Sequence, residues 1–298
     1  MFLFIQNFQV MKNNISLLLS GKLGFNLLKY IDKYIDVEFV ATDKSSLEII
    51  DFATSKKIPL FIGNPRNGRL SDFIGDVENE LLLSINYLFL VEIDLIKKFK
   101  YPINIHGSLL PKYRGRTPHV WAIINNENET GVTAHVIDVG CDTGDIILQK
   151  KIKIKLNDTG FSLLEKFIEV YPKVVKEIIY LYSTNNIKKT TQDHSLASSY
   201  PKRSPKDGQI NWDWDKERIR NWVRAQSFPY PGAFAFYENI KIIIDQISFS
   251  ECGYENSIVN GTIIEIQPFI LVKTSNGVIK MEKIRDNTIE FKKNKILS

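Results

Sequence analysis

The chain has 298 residues, 44% of them apolar and 24% charged, with a formal net charge of +5 and a pI near 8.9. That length holds two domains and a sizeable core; the charge suits an anionic ligand but is too mild to argue for nucleic acid alone. Two cysteines, Cys141 and Cys252, make no disulfide framework and point to a reducing cytoplasm, and no apolar run is long enough to span a bilayer.

The opening "MFLFIQNFQV" is greasy but lacks a basic n-region and a small-residue cleavage site, so it does not read as a signal peptide. With Met11 just behind it, the stretch reads as an accessory strand or as a product of start-site choice. "ISLLLS" is an apolar run of strand length, and Leu28, Ile31 and Ile35 follow at helical spacing. "VEFVAT" is a second strand, and Ser45 with Glu48 predicts a capping box ahead of "LEIIDFA". "IPLFIG", "ELLLSIN" and "PINIHGS" are further strands, with a helix in "LVEIDLIKKF" between the last two. Strands that are nearly all apolar, alternating with helices, predict a doubly wound, mostly parallel α/β sheet covered on both faces.

Thr117 and Pro118 read as N-cap and first residue of a helix through "HVWAIINN". Two strands follow, "GVTAHVID" and "DIILQKKIKI", separated by "VGCDTG", and Asp158 or Thr159 opens a helix running to about Ser183. Residues 184–203 turn polar and read as a linker between a domain spanning 1–183 and a smaller one spanning 204–298. The smaller domain begins with the helix "DKERIRNWVRA", bends at "FPYPGAF" and ends in β structure: "AFAFYENIKIIID" reads as a hairpin, and "TSNGVIK" places a turn at Asn-Gly.

Two cofactor classes lack their signature. "LSGKLG" follows the first strand, but Leu19 stands where a dinucleotide fingerprint needs its first glycine, and no P-loop sequence occurs. The four histidines have no partner at ligand spacing, so no metal site is read; His119 and His135 read as structural or solvent-facing.

The chemistry concentrates in "NIHGSLLPKYRG". Asn104 and His106 share one face of a strand end, where ligands of open α/β sheets bind. "GCDTGD" offers Asp142 and Asp145. A carboxylate beside His106 orients the ring, and an amide beside it donates to an oxyanion, a combination suited to acyl transfer to an amine. Plainer accounts exist: Asn104 satisfying loop backbone, His106 as a hydrogen-bonded loop histidine, Asp142 capping a turn. The residues alone leave both accounts open.

The stretch resembles the formyltransferases that use 10-formyltetrahydrofolate, whose signature is Asn-x-His, Ser-Leu-Leu-Pro, Tyr-Arg-Gly and, some thirty residues on, Asp-x-Gly-Asp. Here these are Asn104, His106, Ser108 to Pro111, Tyr113 to Gly115, and Asp142 to Asp145. The resemblance is strong over about residues 80–155 and rests on layout elsewhere. It implies a catalytic trio of Asn104, His106 and Asp142, with Asp145 structural. It implies a 10-formyltetrahydrofolate co-substrate lying against Asn86, Tyr87, Leu88, Phe89 and Leu90, and against Val139, Gly140 and Cys141, largely on backbone.

For the acceptor, the resemblance leaves three branches. The tail beyond Arg203 counts against the single-domain phosphoribosylglycinamide enzymes. Methionyl-tRNA formyltransferases carry a basic insertion after the second strand, absent from "VATDKSSLEIIDFATSKKIPLF". Sugar N-formyltransferases fit best, acting on nucleotide-linked amino sugars for surface polysaccharide, with methionyl-tRNA formyltransferase as the alternative. Arg114, Lys202, Arg203 and Arg224 are candidates for phosphate or base contact, and each is equally read as a surface or turn-stabilising side chain. By the same likeness the hairpin-rich tail suggests a homodimer contact, while the lack of a dense basic stripe reads against a nucleic-acid partner and the lack of a spanning apolar run against a membrane one. Rival readings are a thiol hydrolase using Cys141, a hydrolase that deformylates the folate, and a non-catalytic binding module.

Overall fold

The computed structural model describes residues 14–76, 80–285 and 288–298, so the accessory strand considered for the first ten residues lies outside the described residues. Five apolar segments form the parallel part of the main sheet: β1 (Ile15–Leu19), β2 (Val37–Thr42), β3 (Leu60–Ile62), β4 (Leu81–Ile85) and β5 (Tyr101–His106). The helices between them are α1 (Gly21–Ile31), α2 (Leu47–Ser55), α3 (Arg69–Ile74) and α4 (Ile93–Ile96). β7 (Glu129–Val136) joins antiparallel to β5, and β8 (Ile146–Lys153) completes the order β3-β2-β1-β4-β5-β7-β8. The doubly wound, mostly parallel reading is therefore the observed one.

The sheet is covered on both faces because adjacent strand residues face opposite ways. Leu18, Phe39, Ala41, Phe61 and Leu82 pack with Leu70 of α3, with Leu95 of α4 and with Phe99. On the other face Leu19 meets α1 at Gly24, where an added Cβ would lie 3.1 Å from Leu19 and 3.3 Å from Ile49 of α2. Full burial of side chains such as Leu83 stabilises by roughly 1.5–3 kcal/mol each.

β6 (Arg114–Gly115) and β9 (Ser199–Tyr200) form a two-stranded ribbon. The remaining elements are α5 (Pro118–Ile124), α6 (Gly160–Ser183), α7 (Lys216–Gln226), β10 (Ala233–Tyr237), β11 (Ile240–Ser250), β12 (Ile263–Glu265), β13 (Ile270–Thr274) and β14 (Gly277–Ile284). The last five strands form a second sheet, β10-β11-β14-β13-β12, antiparallel throughout. Among the described residues no helix is long and apolar enough to cross a membrane.

By compactness the chain divides into two units that interleave in sequence. The first takes the chain up to Gly115, with Gly131–Ile152 and Phe167–Ser199; the second takes Arg116–Thr130, Lys153–Lys166 and Tyr200–Ser298. Composition marks 184–203 as the connection; by compactness its residues up to Ser199 go with the first unit. There Thr190 bridges to Ile146, and His194–Leu196 form a 3-10 turn capped by Asp193.

Three local expectations differ. The residue preceding α2 is Ser46 rather than Ser45, and its hydroxyl is taken by Asp43 at 2.6 Å and by Gly21 N–H at 2.9 Å, so the box with Glu48 does not form. Thr117 does precede α5, but at φ +50° and without a capping bond from its side chain. The β13–β14 turn is Ser275–Asn276, since Thr274 pairs with Gly277. Cross-strand pairing, which local sequence does not encode, sets that register.

Gly131 in β7 leaves no room for a side chain: a Cβ there would lie 2.3 Å from the Lys150 carbonyl oxygen of β8. Gly131→Ala is expected to destabilise by about 1–3 kcal/mol, read as a lower urea midpoint at unchanged slope; an unchanged midpoint contradicts the close approach.

Candidate active site

The carboxyl end of β5 carries Asn104 and His106 two residues apart, both inside the first unit. The antiparallel register sets Asn104 opposite His135 of β7, so their side chains share a face. The loop after β7 closes back on that face. Asp138 Oδ1 accepts from Gly140 N at 3.1 Å and from Thr143 Oγ1 at 2.6 Å, and Val136 N donates to the Asp145 carbonyl at 2.9 Å. Gly144 has to be glycine, because a Cβ would lie 2.0 Å from the Val136 carbonyl oxygen. The loop delivers Asp142 in a left-handed conformation, φ +56°, which non-glycine residues rarely adopt.

Asp142 lies between two imidazoles. Its Oδ2 is 3.5 Å from His106 Nδ1, and its Oδ1 is 3.4 Å from His135 Nε2. Gly115 N donates to Oδ2 at 2.9 Å, and Asn104 Nδ2 is 3.3 Å from Oδ1 and 3.1 Å from His135 Nε2. His106 Nε2 donates to the Tyr113 carbonyl at 2.8 Å, and His135 Nδ1 donates to the Val136 carbonyl at 2.8 Å. The Tyr113 carbonyl fixes the tautomer of a neutral His106 ring, leaving Nδ1 as its basic nitrogen turned toward Asp142, and the Val136 carbonyl orients the His135 ring.

The electrostatics follow from burial. Burial pushes the His106 imidazolium down from its ordinary range, opposed by the Asp142 carboxylate and the Tyr113 carbonyl. At Asp142 burial works to raise the pKa, but His106, the His135 hydrogen bond and the Gly115 N–H outweigh it and hold the carboxyl well below the usual carboxylate range. At neutral pH the site is an ionised carboxylate facing a neutral imidazole. On α6, burial and then the Asp142 charge raise the Tyr171 phenol. The arrangement can take a proton at His106 Nδ1, shared with Asp142, and can present an amide donor beside it.

The turn after Asn-x-His is held from within. Thr133 Oγ1 donates to the Ser108 carbonyl at 2.6 Å and accepts from Leu110 N at 3.2 Å, and Ser108 Oγ donates to the Lys112 carbonyl at 2.7 Å. The Tyr-Arg-Gly turn then supplies three groups in succession. The Tyr113 carbonyl holds His106, Arg114 Nη2 donates to Gln192 Oε1 at 2.7 Å, and Gly115 N holds Asp142.

The two loops expected to meet the folate, 86–90 and 139–141, expose apolar side chains. Leu88, Leu90 and Val139 are exposed, Val139 at 82%. Tyr87 and Phe89 pack edge to face with centroids 5.4 Å apart, and Asn86, at φ +55°, donates to the Ser20 carbonyl at 3.0 Å. Gly140 and Cys141 directly precede Asp142, and Cys141 Sγ is 3.6 Å from Asp142 Oδ2. Exposed apolar side chains beside buried polar groups suit a flat heteroaromatic with a few polar edges.

Arg114 lies in the first unit, buried, with Nη2 on Gln192 and, at 3.0 Å, on His194 Nδ1. The other basic candidates lie in the second unit. Lys202 is exposed. The Arg203 guanidinium lies 5.1 Å from the Trp121 ring and 4.3 Å from the Trp222 ring, and donates to the Asp207 carbonyl at 2.8 Å. Arg224 donates to the Asp158 carbonyl at 2.7 Å and to Asn221 at 2.8 Å; burial, then Arg220, pushes it down to about 10.

Sequence reasoning missed His135 as a member of the cluster. The signal was a histidine in the middle of a strand, but its meaning depends on the β5–β7 register. Gln192 was missed as well, inside a polar stretch that reads as linker.

A model of the formyl transferase family matches residues 29–179, and a model of the formyl transferase C-terminal domain matches residues 202–293. The bifunctional polymyxin resistance protein ArnA of Wigglesworthia glossinidia brevipalpis is 34% identical over 84% of this chain, which spans 38% of that protein. The methionyl-tRNA formyltransferase of Alkaliphilus oremlandii is 32% identical over 78% of this chain and 75% of its own length. Among solved structures, the sugar 3N-formyl transferase WlaRD, determined in the presence of dTDP and 5-N-formyl-THF, is similar with a TM-score of 0.69 and 26% identity, over 92% of this chain and 100% of that one. An N-formyltransferase from Helicobacter canadensis shares the fold with a TM-score of 0.66 and 24% identity, over 91% of this chain and 99% of its own.

The depressed Asp142 pKa carries a stability signature. Its stabilisation is fully present above the unfolded value, about 3.9, and is lost as pH falls through the folded value below it. Asp142→Asn is expected to lose roughly 1–3 kcal/mol at pH 7, the gap to wild type narrowing below about pH 4 in urea titrations. A gap constant from pH 7 to pH 3.5 contradicts the assignment.

Proposed function

The chain belongs to the formyl transferase family, matched over both N-terminal and C-terminal domains, and from that premise we propose that it transfers a formyl group from 10-formyltetrahydrofolate to the amine of a nucleotide-linked amino sugar, for assembly of a surface polysaccharide or glycan. It is a formyl-transferring enzyme by family. The observation that carries the catalytic reading is the meeting of Asn104, His106 and Asp142 at one point of the first unit. The sugar acceptor is supported by likeness to WlaRD over nearly the whole of both chains. It is also supported by the short β2–α2 connection, only Asp43 to Ser46, where a tRNA-binding insertion would have to lie. The second reading, methionyl-tRNA formyltransferase, rests on relatives such as that of Alkaliphilus oremlandii. Cys141 and Cys252 form no disulfide, in keeping with a cytoplasmic enzyme.

The chain's own residues divide the work as follows. The loops at 86–90 and 139–141 hold the folate and keep water from the formyl carbon. The acceptor nitrogen bonds to that carbon, and the carbon's bond to the folate nitrogen breaks. The proton lost by the amine goes to the His106–Asp142 pair, directly or through one water, and returns to the departing nitrogen. While the carbon has four substituents its oxygen is an anion. Asn104 donates to it, a role worth about 3 kcal/mol or a hundred- to a thousandfold in rate. Asp142 offsets the positive charge on His106 during that interval.

Asn104→Ala, His106→Asn and Asp142→Ala are each expected to lower turnover at least a hundredfold; a near wild-type rate in any one removes that residue from the trio. The panel assay is direct: nucleotide-linked amino sugars with formylfolate, scored by mass gain, beside initiator methionyl-tRNA. Formylation of the tRNA alone overturns the sugar reading, and formate release without an acceptor overturns transfer itself.

The lowered His106 pKa fixes the pH profile. The ring must be neutral to take a proton, so activity falls as pH drops through its folded value. The acid limb of kcat/KM is expected below pH 6.5, the ordinary histidine value. A limb above 6.5 contradicts the assignment of His106 as base.

A further inference from the structure

We propose that Gln192 is a positioning residue for the reaction: its side-chain amide holds the main chain of the Asp142 loop so that the carboxylate faces His106. The inference rests on the formyl-transfer reading of this site.

Gln192 is buried at 3% exposure, and both ends of its amide are committed. Nε2 donates to the Asp142 carbonyl at 3.0 Å and to the Gly144 carbonyl at 2.6 Å. Oε1 accepts from Arg114 Nη2 at 2.7 Å. A guanidinium has no acceptor and a carbonyl no donor, so the amide has one workable orientation. Arg114 is itself steadied by His194 Nδ1 at 3.0 Å. These contacts all lie within the first unit.

The geometry around Asp142 needs such a hold. A non-glycine residue at φ +56° sits in a disfavoured region and persists only where its surroundings over-determine it. Asp138 braces the near side of the loop through Gly140 and Thr143. Gln192 braces the far side at residues 142 and 144. Arg114 also sits between Tyr113 and Gly115, whose main-chain groups hold His106 and the Asp142 carboxylate. The Arg114–Gln192 contact thus locks the turn that grips the ring to the loop that presents the acid. Without the amide, the buried Gly144 carbonyl and the part-buried Asp142 carbonyl lose this donor, and the loop is free to relax toward ordinary backbone angles.

The effect travels through Asp142 to His106, and so has a signature beyond lost stability. The titratable groups facing His106 are Asp142 and His135, with Tyr171 in the field of Asp142. Asp142 raises the His106 midpoint and His135 lowers it. Moving the carboxylate away therefore lowers the midpoint.

The test uses the full chain with Gln192→Met, uncharged and close in volume, and Gln192→Asn, which keeps the amide on a shorter arm. NMR titration of the His106 ring needs no substrate. The expected result for Gln192→Met is a lower His106 midpoint, with kcat for formyl transfer reduced tenfold or more. Gln192→Asn recovers part of both effects, and Gln192→Met adds no further midpoint shift in an Asp142→Asn background. The proposal is overturned by a folded Gln192→Met with unchanged midpoint and kcat, by the absence of any recovery in Gln192→Asn, or by a midpoint shift that persists undiminished in the Asp142→Asn background. If the wild type transfers no formyl group, the functional reading fails while the titration still reports whether Gln192 sets the carboxylate.

Discussion

A carboxylate held ionised in a buried place is the interaction on which the first unit's polar architecture depends. Asp142 faces His106 on one oxygen and His135 on the other, with a main-chain N–H from Gly115. Burying a charge is costly unless hydrogen bonds and an opposite charge offset it. Every element that reaches the cluster brings polar groups to it: β5 brings Asn104 and His106, β7 brings His135, and the Tyr-Arg-Gly turn brings the Gly115 N–H. The sheet order β4-β5-β7 sets the two strand ends side by side.

Much of the fold was legible because the physics that forms it is local. Apolar runs such as "ISLLLS" and "ELLLSIN" announce strands buried on both faces, and the intervening apolar periodicity announces helices. The pair Asn104 and His106 was legible for the same reason, since a spacing of two puts them on one face. What local sequence could not supply was register. His135 enters the cluster only because β7 runs antiparallel to β5 with residue 135 opposite residue 104. The turn at Ser275–Asn276 differs from the expected Asn-Gly for a like reason. Gln192 was hidden differently: glutamine in a polar stretch is what a linker looks like, and its partners lie far away in sequence at Arg114, Asp142 and Gly144.

The second unit shows the same competition between charge and burial, settled by packing. Arg203 lies between two tryptophan rings, and Arg285 makes paired bonds to Asp245 at 2.7 and 2.8 Å while donating to the Tyr230 and Pro231 carbonyls. The proline-rich bend is thereby tied to the antiparallel sheet. Cations that look in sequence like ligand contacts can be fastenings of the chain itself, and burial with hydrogen-bond partners separates the two cases.

The Tyr113 carbonyl and the Gly115 amide belong to the peptide backbone, and so does the carbonyl of Val136 that orients His135. A substitution at 113 or 136 rewrites a side chain but keeps these carbonyls, whereas Gly115, at φ +93°, holds its amide in a conformation that other residues rarely adopt. Much of what aims the two rings is therefore written in the course of the main chain rather than in the identity of the residues at 113 and 136.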